Sequence, residues 1–319
     1  MSLWPALVVD LGGTNLRLGL VDGPGAAPRA IRDRLLAESG DLERAIASYL
    51  GEIGMRVPAA ALAIAGPVVG DDVQPSHPAW RFAASALKRA LGFERLVVVN
   101  DYHALALALP RLTATDFAPV GGGTALPDGP RVVIGPGTGL GVAALIRHRG
   151  VWLPVASEGG QAGFSPLDET EAKVAAILAR SGRVTVERVV CGPGLLAIDH
   201  ALAEIEGGTS VRTRPEEVSV AASAGEPRAA RALDLFFAAL GAVVGDAALY
   251  FCATGGVFLA GGILPRLLGP LRASRFRARF EDKPLVPDLI RGIPTSVIIR
   301  PYPGLIGAAA ALDEDNGHS

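Results

Sequence analysis

Cysteine is nearly absent: the 319 residues include two, Cys191 and Cys252. They form no CxxC pair and no zinc-ligand spacing. That excludes a disulfide scaffold and makes free thiols in a reducing cytosol the expectation. An excess of charge of one sign is missing too. Thirty Lys and Arg stand against 32 Asp and Glu, a net charge of −2, with no block of like charges and no basic cluster interleaved with aromatics. A nucleic-acid or membrane-surface partner therefore has no electrostatic footprint. No basic and apolar leader comes before the strand-like Leu7-Val8-Val9, so a cytoplasmic protein is expected. The longest apolar tract, near 235–262, is broken by Asp246 and several glycines. It reads as a buried helix running into a strand, not as a membrane span. Two phosphate-binding signatures are also lacking. No GxxxxGK[ST] occurs, which excludes a Walker loop. In the run Gly135 to Gly141, Leu140 stands where GxGxxG needs glycine, and a strand follows instead of a helix, which disfavours a dinucleotide fold.

What is present is a well-filled globular chain. Half the residues are apolar, 19% are charged, and the mean hydropathy is +0.36. The length fits two domains, or one large split one. Residues 7–21 read as strand, turn, strand, and residues 41–54 as a helix. Residues 62–65 form a short buried strand ending at Gly66-Pro67. Residues 96–99 form another, ending at Asn100-Asp101, before a helix over 104–109 that Pro110 stops. The Gly-, Pro- and Thr-rich stretch 113–130 marks a domain boundary. Strand, glycine turn and strand recur over 132–146. Helical patterns fill about 171–251, residues 255–265 read as strand, glycine turn and helix, and the Ala-rich tail 304–312 as a helix. Alternating strands and helices make the class α/β. The echo of 7–21 in 132–146 points to two related domains facing each other.

Three glycine turns carry the chemistry: Asp10-Leu11-Gly12-Gly13-Thr14, Gly135-Pro136-Gly137-Thr138-Gly139-Leu140-Gly141 and Gly261-Gly262. Glycine lets bare backbone N–H groups converge on an anion, and threonine hydroxyls add donors. Any one of these turns alone reads equally as an ordinary hairpin. Gly137 and Gly139 are expected to need unusual backbone angles or a close approach to phosphate. The third turn, opening a helix, would hold a phosphate or a nucleotide edge by the helix dipole.

Taken in order, the motifs are similar to those of one family. Leu7-Val8-Val9-Asp10-Leu11-Gly12-Gly13-Thr14-Asn15-Leu16-Arg17 resembles the first phosphate hairpin of the bacterial glucokinases, members of the hexokinase and actin-like ATPase superfamily. Gly135 to Gly141 resembles their second, and Phe258-Leu259-Ala260-Gly261-Gly262-Ile263-Leu264-Pro265-Arg266 their adenosine segment. Val99-Asn100-Asp101-Tyr102, Ser157-Glu158-Gly159-Gly160, Glu187 to Gly194, Phe280-Glu281-Asp282-Lys283 and Pro303-Gly304-Leu305-Ile306-Gly307 match as well. Together they cover nearly the whole chain. A related branch of sugar kinases and repressors carries a Cys-rich zinc motif that is absent here.

The resemblance implies a two-domain actin-like ATPase (hexokinase-type) fold with a central cleft, an ATP- and Mg²⁺-dependent glucokinase making glucose 6-phosphate, and a homodimer. It implies that Asn100, Asp101, Glu158 and Glu187 hydrogen-bond the sugar, as carboxylates suit a ring of donating hydroxyls. Asp10 would hold the metal through water, since Mg²⁺ keeps most of its waters; an Asx turn is the plainer reading. Gly12, Gly13, Thr14, Gly135, Gly137, Thr138, Gly139, Gly261 and Gly262 would cradle the nucleotide, and Arg17 reads as an ion-pair partner or a weak further candidate. Asp101, at a strand end, is the candidate base: an aspartate is ionised at neutral pH and accepts a hydroxyl proton as it is lost. Asn100 or Asp101 also suits a helix cap. Two positions depart from the family: Gln161 stands where a His commonly follows Glu-Gly-Gly, and His77 where an Asn is usual. Preference among hydroxyls is therefore open.

The expected domains are 1–110 with 301–319, and 111–300, with sugar and ATP meeting in the cleft and the returning tail forming a hinge. A kinase for mannose, fructose or an amino sugar is the alternative. A non-kinase actin-like ATPase and a sugar-sensing regulator stand behind it.

Overall fold

The computed structural model describes residues 3–314, and the chain divides into two compact units. The first takes the residues up to Ala114, Trp152–Ala156, and those from Arg300 onward; the second takes Thr115–Val151 and Ser157–Ile299. Residues 315–319 of the expected tail lie outside the described residues.

In the first unit, β1 (Ala6–Leu11), β2 (Asn15–Val21) and β3 (Arg29–Leu35) precede helices α1 (Leu36–Ser39) and α2 (Leu42–Glu52). β4 (Ala59–Ile64) follows. A small ribbon of β5 (Val68–Val69), β6 (Asp72–Val73) and β7 (Phe82–Ala83) leads to α3 (Ala84–Leu91), β8 (Arg95–Asn100) and α4 (Asp101–Ala108). The sheet order is β3-β2-β1-β4-β8. β1 pairs antiparallel with β2 and parallel with β4, and β4 runs parallel to β8.

β1 and β4 are buried along their whole length, so both faces of the sheet are covered, as uninterrupted apolar strands require. One face is leucine-rich: Leu7, Val9, Leu11, Leu16, Leu18 and Leu62 pack with Ile46 and Tyr49 of α2. The opposite face is alanine-rich: Ala6, Val8, Ala59, Ala61 and Ala63 pack with Ala104, Leu305, Ala308 and Leu312.

The second unit contains β9 (Phe117–Gly121), β10 (Arg131–Pro136), β11 (Leu140–His148) and β12 (Val151–Ser157), the last of which carries the first-unit residues Trp152–Ala156. Helices α5 (Glu169–Ala179), α6 (Val186–Val189), α7 (Gly192–Ile205), α8 (Pro215–Ser223) and α9 (Pro227–Tyr250) follow. Then come β13 (Val257–Leu259), α10 (Leu268–Ala273), α11 (Phe276–Glu281), α12 (Pro287–Gly292) and β14 (Thr295–Ile298). Within this unit the sheet runs β11-β10-β13-β14-β9. β10 pairs antiparallel with β11 and parallel with β13, and β13 runs parallel to β14. The chain then returns to the first unit as α13 (Pro303–Glu314).

The units divide between Ala114 and Thr115, inside the stretch 113–130, where Phe117–Gly121 also forms an antiparallel edge strand against β14. One expectation needs correction. Residues 255–265 do not end in a regular helix, because a 3₁₀ turn, Leu264–Leu267, separates the glycine turn from the six-residue α10. A dipole-based anion site does not form there, since the long array of aligned peptides it needs is absent.

Helix α9 is apolar and long enough to cross a bilayer by length and composition, yet 78% of its most apolar window is buried within the protein. Gly241 and Gly245, four residues apart, let α11 lie against it: a Cβ at 241 would meet the Phe276 carbonyl oxygen at 2.1 Å. Asp246 is not stranded in this helix, because Lys283 pairs with it.

Candidate active site

The first hairpin turns over Gly12-Gly13-Thr14 and is closed by the Gly12 N–H donating to the Asn15 carbonyl at 3.0 Å. One pair before the turn, Asp10 faces Arg17 across the strands. Arg17 Nη1 donates to Asp10 Oδ2 at 3.0 Å and Arg17 Nε to Asp33 Oδ2 at 3.1 Å, a ladder across β1, β2 and β3. Arg17 is thus an ion-pair partner. Asp10 is buried. Loss of water raises its carboxyl pKa above the ordinary value despite the attraction of Arg17, and Asp33 adds to the rise. Gly304, at the start of α13, lies directly on this carboxylate: a Cβ there would sit 2.7 Å from both Asp10 Cγ and Oδ2. A side chain at 304 would push the Asp10 carboxylate out of its place.

The helix after β8 begins at Asp101, three residues earlier than its apolar pattern indicates. Asn100 is the N-cap. Its Oδ1 accepts from the N–H groups of Tyr102 at 2.9 Å and His103 at 3.1 Å, while its Nδ2 donates to the Gly66 carbonyl at 3.1 Å. Of the two residues that suited a cap, Asn100 takes the role with its Oδ1, and one N–H of its amide goes to Gly66. Asp101 is the first helical residue, half-buried, with Oδ1 accepting the Tyr102 N–H at 3.0 Å. Tyr102 is buried, and its phenol is pushed far up, first by burial and then by the carboxylates of Asp101 and Asp10. The two carboxylates therefore share one neighbourhood. Crossing over it, α13 packs on α4 with no side chain between them: a Cβ at Gly307 would lie 1.9 Å from the Ala104 carbonyl oxygen.

In the second unit the hairpin turns over Gly137-Thr138-Gly139, with the Gly137 N–H donating to the Gly139 carbonyl at 2.8 Å. Neither glycine has a left-handed φ, and Gly137 has open space around it. The expectation of unusual angles fails here. Gly139 does need its close approach, but to Glu187, whose Oε2 would lie 2.4 Å from a Cβ at 139. Gly135 lies flush with the segment after β13: its Cβ would fall 2.0 Å from the Ala260 carbonyl oxygen. Gly261 reciprocates with φ +93° and a Cβ position 2.3 Å from the Pro136 carbonyl oxygen. Gly262 is exposed. Gly135-Pro136 and Ala260-Gly261 thus meet backbone to backbone.

Glu158 and Gln161 are exposed at a 3₁₀ turn, where the Gln161 N–H donates to the Glu158 carbonyl at 2.9 Å. Gln161 Nε2 donates to Glu187 Oε1 at 3.0 Å, which joins two of the expected sugar residues directly. Thr14 and Thr138 are exposed at their turn tips, and so is His77 in its own loop. Sequence reasoning missed Gly304 and Tyr102 as parts of the site. Proline at the start of the Ala-rich helix was the available signal for Gly304.

The matching hairpins and strand-end carboxylates, on sheets of one topology, define an α/β sugar kinase of the hexokinase type. A family model described as Glucokinase matches residues 7–315. Glucokinase of Chromohalobacter salexigens is 43% identical over 314 residues, covering 98% of each chain. Glucokinase of Chromobacterium violaceum is 42% identical over 316 residues, 97% of this chain and 89% of that protein. A crystal structure of glucokinase from an Antarctic psychrotroph superposes with a TM-score of 0.86 at 33% identity, over 97% of this chain and 99% of that one. The chain belongs to the glucokinase family.

Proposed function

We infer that this enzyme transfers the γ-phosphoryl group of ATP to the 6-hydroxyl of glucose. The observation that carries the reading, within a glucokinase-family chain, is Asp101: an anionic side chain held at a helix N-terminus, directly after β8, with its neighbour Asn100 as the cap. Asp101 accepts the hydroxyl proton as O6 attacks phosphorus. The O6–P bond forms, the bond from the γ-phosphorus to the bridging oxygen breaks, and ADP leaves with that electron pair. Carboxylates and amides at Asp101, Glu158, Gln161 and Glu187 orient the sugar, which supplies much of the acceleration in a reaction of this kind. The N–H groups and hydroxyls at 12–14 and 135–139 hold the polyphosphate, and the turn at 261–262 approaches the nucleoside.

Mg²⁺ suits Asp10. Among the described residues no group of three or more His, Cys, Asp or Glu side chains forms a metal cage. A single buried carboxylate next to a phosphate turn fits an ion that keeps its waters. When bound, the ion neutralises polyphosphate charge. A homodimer in the cytoplasm completes the reading, on family grounds.

Another hexose as the main substrate is the second reading, favoured by the departures at Gln161 and His77. A coupled ADP-release assay over glucose, mannose, fructose and glucosamine separates the two. Glucose should give the highest kcat/KM; another sugar leading by tenfold or more would overturn the assignment.

A further inference from the structure

Glu187 occupies two places at once in the second unit. Its Oε2 accepts the backbone N–H of Leu140 at 2.8 Å, and its Oε1 accepts Gln161 Nε2 at 3.0 Å. Leu140 is the residue directly after the turn Gly137-Thr138-Gly139. The carboxylate fills the space that a side chain at 139 would take, since a Cβ there would fall 2.4 Å from Oε2. The turn is held from other sides as well. The Gly137 carbonyl accepts the N–H of Gly192, the first residue of α7, at 2.9 Å. Gly160 lies on the Leu140 carbonyl oxygen, with its Cβ position 2.4 Å away. Leu140 is therefore gripped by its N–H through Glu187 and by its carbonyl under the Glu158-Gly159-Gly160-Gln161 segment.

We propose that Glu187 is a positioning residue for the phosphate turn, and that the chain of bonds Gln161–Glu187–Leu140 couples sugar occupancy to the geometry of that turn. The proposal rests on the reading above, in which Gln161 and Glu187 meet the sugar and residues 135–139 meet the polyphosphate. The physical argument is one of limited capacity and no slack. A carboxylate offers about four lone-pair sites, and two are already taken by donors from opposite directions. A sugar hydroxyl that donates to Oε1 joins or displaces the Gln161 amide and turns the carboxylate. The Leu140 N–H follows Oε2, and the close approach at Gly139 transmits the movement to the turn. Because Gln161 Nε2 points at Glu187, its carbonyl oxygen is left to accept from a hydroxyl.

The test is calorimetric titration of AMPPNP with Mg²⁺ into the full-length enzyme, with and without saturating glucose. In wild type, glucose should tighten AMPPNP by about five- to fiftyfold, within the range of ordinary coupling between sites. In Glu187→Gln one amide oxygen cannot serve both donors, and in Gln161→Leu the outer link is gone. Both variants should bring the ratio to within about twofold of one. Gly139→Ala is the crossed probe: its methyl displaces only the end of a flexible side chain, so the fold should persist by circular dichroism. The glucose KM should nevertheless rise about tenfold, from a residue with no group that binds a hydroxyl. A wild-type ratio of one, or a wild-type-sized ratio retained in Glu187→Gln with weakened glucose, would overturn the proposal and leave Glu187 a sugar contact only. Failure of the wild type to phosphorylate any hexose would instead bring down the functional reading beneath it.

Discussion

The two hairpins hold the same place in their sheets and make opposite use of it. β1 lies between antiparallel β2 and parallel β4, and β10 between antiparallel β11 and parallel β13. Each turns over three residues. One pair before the first turn stands a charged couple, Asp10 opposite Arg17; one pair before the second stand two glycines, Gly135 opposite Gly141. The first position has room for a carboxylate and holds it under Gly304, at some cost in desolvation. The second has no room for any side chain, because the Ala260 carbonyl lies where the Cβ would be. A common backbone device thus carries an ion pair at buried Asp10 in the first hairpin and a close backbone contact without side chains in the second.

The largest expected effect lies on the charged side. Asp101→Asn keeps the shape and loses the proton acceptor, so kcat should fall by about 10²–10⁴ while the glucose KM stays within a few-fold. Steady-state kinetics decide, and a near-normal kcat removes Asp101 from the base role.

Asp10→Asn separates activity from stability. The native protein holds the Asp10 proton more tightly than the unfolded chain does, because burial raises its pKa. Ionisation therefore costs stability as pH rises through the raised value, and that cost disappears below the ordinary carboxylate range. At pH 7 the Asn variant should melt no lower than wild type, and its advantage should shrink as the pH falls. Its kcat should drop by about 10²-fold. A lower Tm at pH 7 would mean that the Arg17 pair outweighs desolvation.

Gly135→Ala should do the reverse on the bare side. Its methyl would overlap backbone, not a flexible side chain, so a loss of about 1–3 kcal/mol in urea unfolding is expected. Unchanged stability there would erase the contrast between the hairpins.

The smallest effect concerns the thiols. Cys191 is buried as the N-cap of α7, its Sγ accepting from the Gly194 N–H at 3.2 Å, and burial together with Glu187 raises its pKa to about 11. Cys252 is exposed. At pH 8 one thiol should react with a disulfide reagent and the second only after unfolding. Because the unfolded thiol ionises first, Cys191 should also lower stability as pH climbs from the ordinary thiol range toward about 11.

Much of this architecture was legible. The apolar runs at 7–9 and 132–134 mark strands covered on both faces, and the glycine turns between strands mark hairpins. The true start of α4 was hidden, because Asp101-Tyr102-His103 carries no apolar periodicity; Asn100, accepting two N–H groups, is what sets it. β3 went unread in the sequence: Arg29, Arg32 and Asp33 are exposed, and its pairing with β2 makes it a strand. β9 was concealed by the Pro and Gly around it, which an edge strand tolerates because one side of its backbone needs no partner.

By itself the sequence determined the α/β class, the two hairpins, the order of the motifs and the residue types gathered for the chemistry, because periodicity, glycine and short motifs are local properties. Tertiary structure alone decided the surroundings of each side chain. Asp10 came to lie buried under Gly304, Asn100 became a cap, Asp101 the first residue of a helix, and Glu187 the acceptor of both Gln161 and Leu140. Those assignments depend on which backbone passes within 3 Å of a given side chain, and such approaches join residues as far apart as 10 and 304 that no local pattern connects.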